Sequence, residues 1–146
     1  MNSFQIEQEI LINAPAAKVF QRLVGDVAPW WDHGFSESPK AIVLEPKVGG
    51  RFYEEFGGAE GDGALYCTVM QVETGKKLVL QGPMGMRGAV FGNIAFELVE
   101  KGGATTLKLS HHAIGEVTEE HKKNYTSGWR ELLGTRLKNL VETGKA

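Results

Sequence analysis

Near the N-terminus Phe4, Ile6, Ile10 and Ile12 share one parity and Gln5, Glu7 and Glu9 the other, the alternation of a strand with one buried face. Pro15 then suits a first helical turn, and Val19, Phe20, Leu23 and Val24 form the apolar side of a short helix that Gly25 ends. Residues 26–39 scatter Trp30, Trp31 and Phe35 among Asp, His, Ser, Gly and Pro, which reads as a loop or a broken second helix. From residue 41 onward strand-like runs alternate with turn signals, at 41–44, 51–56, 65–72, 78–80, 88–99 and 105–111. Roughly seven strands with short connections favour antiparallel neighbours. The pattern then changes period: Tyr125, Trp129, Leu132, Leu133, Leu137, Leu140 and Val141 fall on one helical stripe. Thr118 is placed to cap this helix, Glu119 and Glu120 suit its first turn, and Gly144 suits a left-handed stop. Gly128 and Gly134 inside it predict a bend or a close backbone approach. A sheet closed by one long helix leaves room for a cavity between them, the default place to look for a ligand.

Bulk properties narrow the functions. At 146 residues and 42% hydrophobic, the chain suits one compact domain, 1–146. A net charge of −2 lacks the basic field of a nucleic-acid binder, so nucleic acid is not expected as a partner. The first thirteen or so residues carry no basic segment, and their longest apolar run, 10–12, is too short for a signal peptide or a membrane span. With the single cysteine, Cys67, this points to a cytoplasmic protein without an internal disulfide.

Particular words recur in this order: Asn13-Ala14-Pro15 with Val19 and Phe20, Trp30-Trp31, Val48-Gly49-Gly50-Arg51-Phe52, Thr105-x-Leu107-x-Leu109-x-His111, and Ser127-Gly128-Trp129 followed by Leu132, Leu133 and Leu137. Together they resemble the activator of heat-shock-protein-90 ATPase homologue family, a branch of the START-like (SRPBCC) superfamily. The resemblance spans nearly the whole chain and implies an α+β helix-grip fold, a curved antiparallel sheet around a long C-terminal helix. It also implies a cavity for an apolar or amphipathic ligand, with no universal catalytic residues; no cofactor is expected. The chaperone activator that names the family carries a separate N-terminal chaperone-binding domain, for which this chain leaves no room, so chaperone activation is not carried over.

Candidate chemistry follows from parity and composition. Trp30, Trp31, Phe52, Phe56, Met70, Phe96, Tyr125, Trp129 and Leu133 are the candidates to wall the cavity, since aromatic and aliphatic surface supplies affinity for an apolar guest, with ordinary core packing the commoner role for any one aromatic. Met84 and Met86, flanked by glycine, read as an adaptable, mobile rim. Glu54 shares the face of Phe52 and Phe56, and a carboxylate there calls for a cationic partner, with Arg136 on the helix stripe as the candidate. Facing the cavity, Glu54 would serve as a polar anchor for ligand or a general base; the plainer alternative is a rim Glu54 that reaches water, with Arg136 snorkelling. His111 shares parity with Leu107 and Leu109 and points inward, as a structural histidine or a polarising group, while His112 points away. The two cannot chelate one metal from a regular strand, and no metal site is expected. Binding of a small hydrophobic or amphipathic molecule is therefore the leading function. A cyclase-like or hydrolytic activity in the same cavity, and a protein-interaction module presenting Trp30 and Trp31, are the alternatives.

Overall fold

The computed structural model describes residues 2–146. Its elements are β1 (Asn2–Ile12), α1 (Ala16–Leu23), β2 (Gly25–Asp26), β3 (Ala41–Leu44), β4 (Arg51–Glu55), β5 (Gly63–Glu73), β6 (Lys77–Gln81), β7 (Val90–Lys101), β8 (Ala104–Gly115), α2 (Glu119–Glu131), a π-helical turn (Leu132–Leu137) and α3 (Lys138–Thr143). All strands join one curved antiparallel sheet in the order β1-β8-β7-β6-β5-β4-β3-β2. The sheet has eight strands rather than about seven because Gly25 and Asp26 pair with Leu44 and Val43. Two residues are too few to show alternation, so this strand leaves no sequence signal.

The helix that closes the sheet starts and stops where its end residues dictate. Thr118 Oγ1 accepts from the His121 N–H at 3.1 Å, and His121 Nδ1 accepts from the Thr118 N–H at the same distance. This is a reciprocal capping box with histidine in the usual Glu position. At the far end Gly144 takes φ +84 and its N–H donates to the Leu140 carbonyl. Between them the π-helical turn, which contains Gly134, widens the helix and lets the adjacent Leu132 and Leu133 both bury, along with Leu137. Polar clamps fasten the helix to β1: Gln8 Nε2 donates to the Thr126 carbonyl at 2.8 Å, and Lys138 Nζ to the Leu11 carbonyl at 2.6 Å.

The core lies between the concave face of the sheet and the two helical layers, with Ile12, Leu23, Leu78, Leu80, Ile94, Leu107, Leu133 and Leu137 all inaccessible. Strand β5 breaks the simple alternation. Its register with β4 jumps from Phe52↔Cys67 to Tyr53↔Leu65, and its register with β6 from Val69↔Leu80 to Gln71↔Val79. Tyr66 and Met70 are the extra residues at these two bulges. The first bulge turns Tyr66 inward beside Cys67, and the phase shift leaves Met70 half exposed on the outer face.

Candidate functional site

The loop after β2 is folded onto the helix by its own backbone. The Val27 carbonyl accepts from the N–H groups of Trp30 and Trp31 at 3.0 and 2.8 Å. Arg136 in the π-helical turn donates to the carbonyls of Trp30 and Pro29, both at 3.1 Å, and lies 3.5 Å from the Asp32 carboxylate. Both tryptophans are thereby buried, Trp30 with its Nε1 donating to the Arg22 carbonyl. The Trp31 ring becomes a hub: Phe52, Tyr66 and Trp129 meet it edge-on at centroid distances of 4.9, 5.3 and 5.8 Å. Such edge-to-face pairs each contribute about 0.5–1.5 kcal/mol beyond area burial.

Glu54 organises the wall beside this hub. It is fully buried on β4, and its Oε1 accepts from the Phe35 N–H at 2.7 Å and the Tyr66 hydroxyl at 2.9 Å. Its Oε2 accepts from the Ser36 N–H at 2.8 Å. Gly34 leaves the space this needs, since a Cβ there would stand 3.0 Å from Glu54 Oε1. Trp31 Nε1 completes the chain by donating to the Tyr66 oxygen at 3.3 Å. Burial, reinforced by the hydrogen bond to Glu54, pushes the Tyr66 hydroxyl far above its ordinary range, so it stays protonated. Glu54→Gln should cost about 2–3 kcal/mol, because an amide N–H replaces an acceptor that faces a backbone N–H. Hydrogen exchange should show the Phe35 and Ser36 amides losing protection; retained protection would show that other contacts hold this loop.

Between this loop and α2 opens a cleft of about 490 Å³. Its apolar walls are Trp31, Phe35, Tyr66, Met84, Tyr125, Trp129 and Leu132, and Gly34, Gly85 and Gly128 bring backbone close. His33, Arg87 and Asn124 stand exposed at its mouth. The volume falls within the roughly 300–1,000 Å³ of small-molecule sites. The wall opposite the loop is fixed by Met84, whose N–H donates to the Tyr66 carbonyl and whose carbonyl accepts from the Tyr125 hydroxyl, both at 2.9 Å. Met84 holds φ +49 to do so, an uncommon conformation for a side-chain-bearing residue. Burial raises the Tyr125 hydroxyl to about 12, leaving it a donor at neutral pH.

Behind the cleft His111 is inaccessible on β8. Its Nδ1 accepts from Trp129 Nε1 at 2.9 Å, and Phe4 and Tyr125 pack their rings near it at 5.3 and 5.6 Å. Indole N–H only donates, so Nδ1 is the bare nitrogen and Nε2 carries the proton. Nε2 has no hydrogen-bond partner among the described residues. Burial, with a smaller effect of the neighbouring His112, lowers the imidazole to about 4.

Of the residues expected at the site, Trp31, Met84, Tyr125 and Trp129 line the cleft. Trp30, Phe52, Met86, Phe96, His111 and Leu133 lie in the packed core instead. Glu54 faces inward with Phe52, but its oxygens serve its own loop rather than the cleft, and Arg136 turns to Asp32 instead of Glu54. The charge separation follows from position: Arg136 belongs to the outer end of the Trp30 turn, whereas Glu54 is inside the sheet. Phe56 lies past the end of β4, its N–H donating to the Asp62 carbonyl, and Met70 points outward because of the bulge. The Met84–Met86 segment is buried and clamped rather than a mobile rim. Phe35, His33, Arg87, Asn124 and Leu132 are not among the expected site residues, and Tyr66 belongs to the general aromatic signal of the sequence without being assigned to the cavity wall. The Tyr66 bulge has no local signature, while Gly128, suspected of close approach, stands 3.8 Å (from an added Cβ) from His33 Nε2 across the cleft.

The family model for activator of Hsp90 ATPase homolog 1-like protein matches residues 13–142. The chain belongs to this family. Among solved structures of similar fold is the Aha1 dimer from Colwellia psychrerythraea, 23% identical, TM-score 0.72, covering 98% of this chain and 99% of that one. A conserved protein of unknown function from Enterococcus faecalis is 20% identical, TM-score 0.71, over 99% of this chain and 74% of its own. A protein from Chromobacterium violaceum is 18% identical, TM-score 0.69, over 94% and 96%. No curated protein matches the sequence. At these identities the likeness to the solved structures is one of fold. No helix among the described residues is long and apolar enough to cross a membrane.

Proposed function

We propose that this protein binds a small hydrophobic or amphipathic molecule in the cleft between the Trp31 loop and α2. The observation that carries the reading is the aromatic lining itself: Tyr66 and Trp129 each meet Trp31 edge-to-face at the base of an open space of about 490 Å³. A preorganised apolar slot loses little entropy when a flat or elongated apolar guest enters. Binding is favoured over catalysis because the acid-base groups nearby are already engaged. Glu54 already accepts from three donors, the Tyr66 hydroxyl is held protonated, and His111 is walled off behind Trp129. The tryptophan pair is buried, so it presents no surface to a partner protein.

Titration of the folded protein with the neutral dye N-phenyl-1-naphthylamine should give saturable fluorescence enhancement at neutral pH. Gly128→Leu should abolish it without lowering thermal stability, because the new side chain enters the cleft while removing a helix-interior glycine favours the helix by about 0.5–1 kcal/mol. Enhancement that arises only under partial unfolding, or that survives Gly128→Leu undiminished, would place the dye elsewhere.

A further inference from the structure

The mouth of the cleft carries a charge that its base does not. Among the described residues Arg87 is the one permanently charged side chain lining the cleft, and no carboxylate lines it. Among the described residues Arg87 makes no ion pair. The carboxylates close by in sequence or along the loop are otherwise engaged. Glu116 Oε2 accepts from the Ala89 N–H at 3.0 Å, and Asp32 lies 2.7 Å from His33 Nδ1 and 3.5 Å from Arg136. The backbone that carries Arg87 is also fixed, by the two hydrogen bonds on Met84 and by the Met86 N–H donating to the Pro83 carbonyl at 3.1 Å. A guanidinium on a rigid turn beside an apolar slot is matched by an anion attached to an apolar body.

We propose that the ligand is an amphiphile with one anionic end, its apolar body against Trp31 and Trp129 and its carboxylate or equivalent anion at Arg87. This rests on reading the cleft as a ligand site and adds the chemical class. A cationic amphiphile meets Arg87 with like charge and finds no carboxylate in the lining. A neutral one leaves the guanidinium hydrated and gains only from the slot.

Displacement of N-phenyl-1-naphthylamine by decanoate, decanol and decyltrimethylammonium, each below its micellar concentration and at low ionic strength, tests the assignment. Decanoate should bind about three- to tenfold tighter than decanol, the range for a partly exposed charge-assisted hydrogen bond, with the trimethylammonium compound weakest. Added salt should shrink the preference. Arg87→Gln should erase it, read as the ratio of decanoate to decanol affinity within the same variant, and Arg87→Lys should keep part of it. Equal displacement by decanoate and decanol, or a preference that Arg87→Gln does not alter, overturns the anion assignment and leaves the cleft reading standing. Failure of the dye to bind the wild-type protein removes the cleft reading and this proposal with it.

Discussion

Replacing Trp129 with alanine should lower stability by roughly 3–5 kcal/mol, the cost of deleting a large aromatic from a packed site. Trp129 is 2% exposed and touches both halves of the structure: Trp31 on the loop, Phe96 on β7 and His111 on β8 all pack around its ring within 6 Å of its centroid. Alanine also removes the donor to His111 Nδ1, leaving both imidazole nitrogens without partners. For a domain whose total stability is of the order of 5–15 kcal/mol, this approaches unfolding. Trp129→Phe separates the two contributions, since it keeps most of the ring contact and loses only the N–H; it should cost about 1–3 kcal/mol. Urea melts of both variants read the effect directly. A loss under about 1 kcal/mol for the alanine variant would mean that the helix is not anchored through this ring.

The sequence carried the fold well because most of its information is periodic. Parity in β1, the helical stripe from Tyr125 to Val141, the Thr118 cap and the Gly144 stop each express a local rule that the tertiary structure does not override. Parity also placed Glu54 and His111 on the inward face correctly. Met70, a candidate for the wall, lies outside and Tyr66 enters the cleft because two bulges in β5 interrupt the alternation. Nothing in the residue string marks the point of insertion.

The site was less legible, for a different reason. Inward-facing and cleft-lining are separate properties: Phe96, Leu133 and His111 face in but lie beneath other side chains. Which inward residues remain uncovered depends on the loop, and the course of residues 32–36 is fixed by the Glu54 carboxylate, a contact across 18 and 19 positions. The pairing of Glu54 with Arg136 was electrostatically reasonable and geometrically wrong. Backbone N–H groups, which no composition reveals, take the place of the cation.

Stability should fall by up to roughly 3 kcal/mol as the pH drops from about 6.5 to about 4, through His111 alone. Its folded-state value is lowered from 6.5 to about 4, chiefly by burial, so between those limits the unfolded chain binds a proton that the native protein refuses. Stability from neutral His111 is therefore complete above pH 6.5, is lost progressively on acidification, and changes no further below about 4. The hydrogen bond explains why the native state resists: protonation would place a second N–H at Nδ1, pointing at the Trp129 N–H only 2.9 Å away. His111→Gln retains an oxygen acceptor for Trp129 and cannot titrate. Its urea-melt stability should decline less between pH 6.5 and 4 than that of the wild type, the difference isolating His111 from carboxylates common to both. Nitrogen NMR of the imidazole at pH 6 should show a neutral ring protonated at Nε2. An imidazolium signal at that pH, or identical pH slopes for the two proteins, would refute the buried neutral pair.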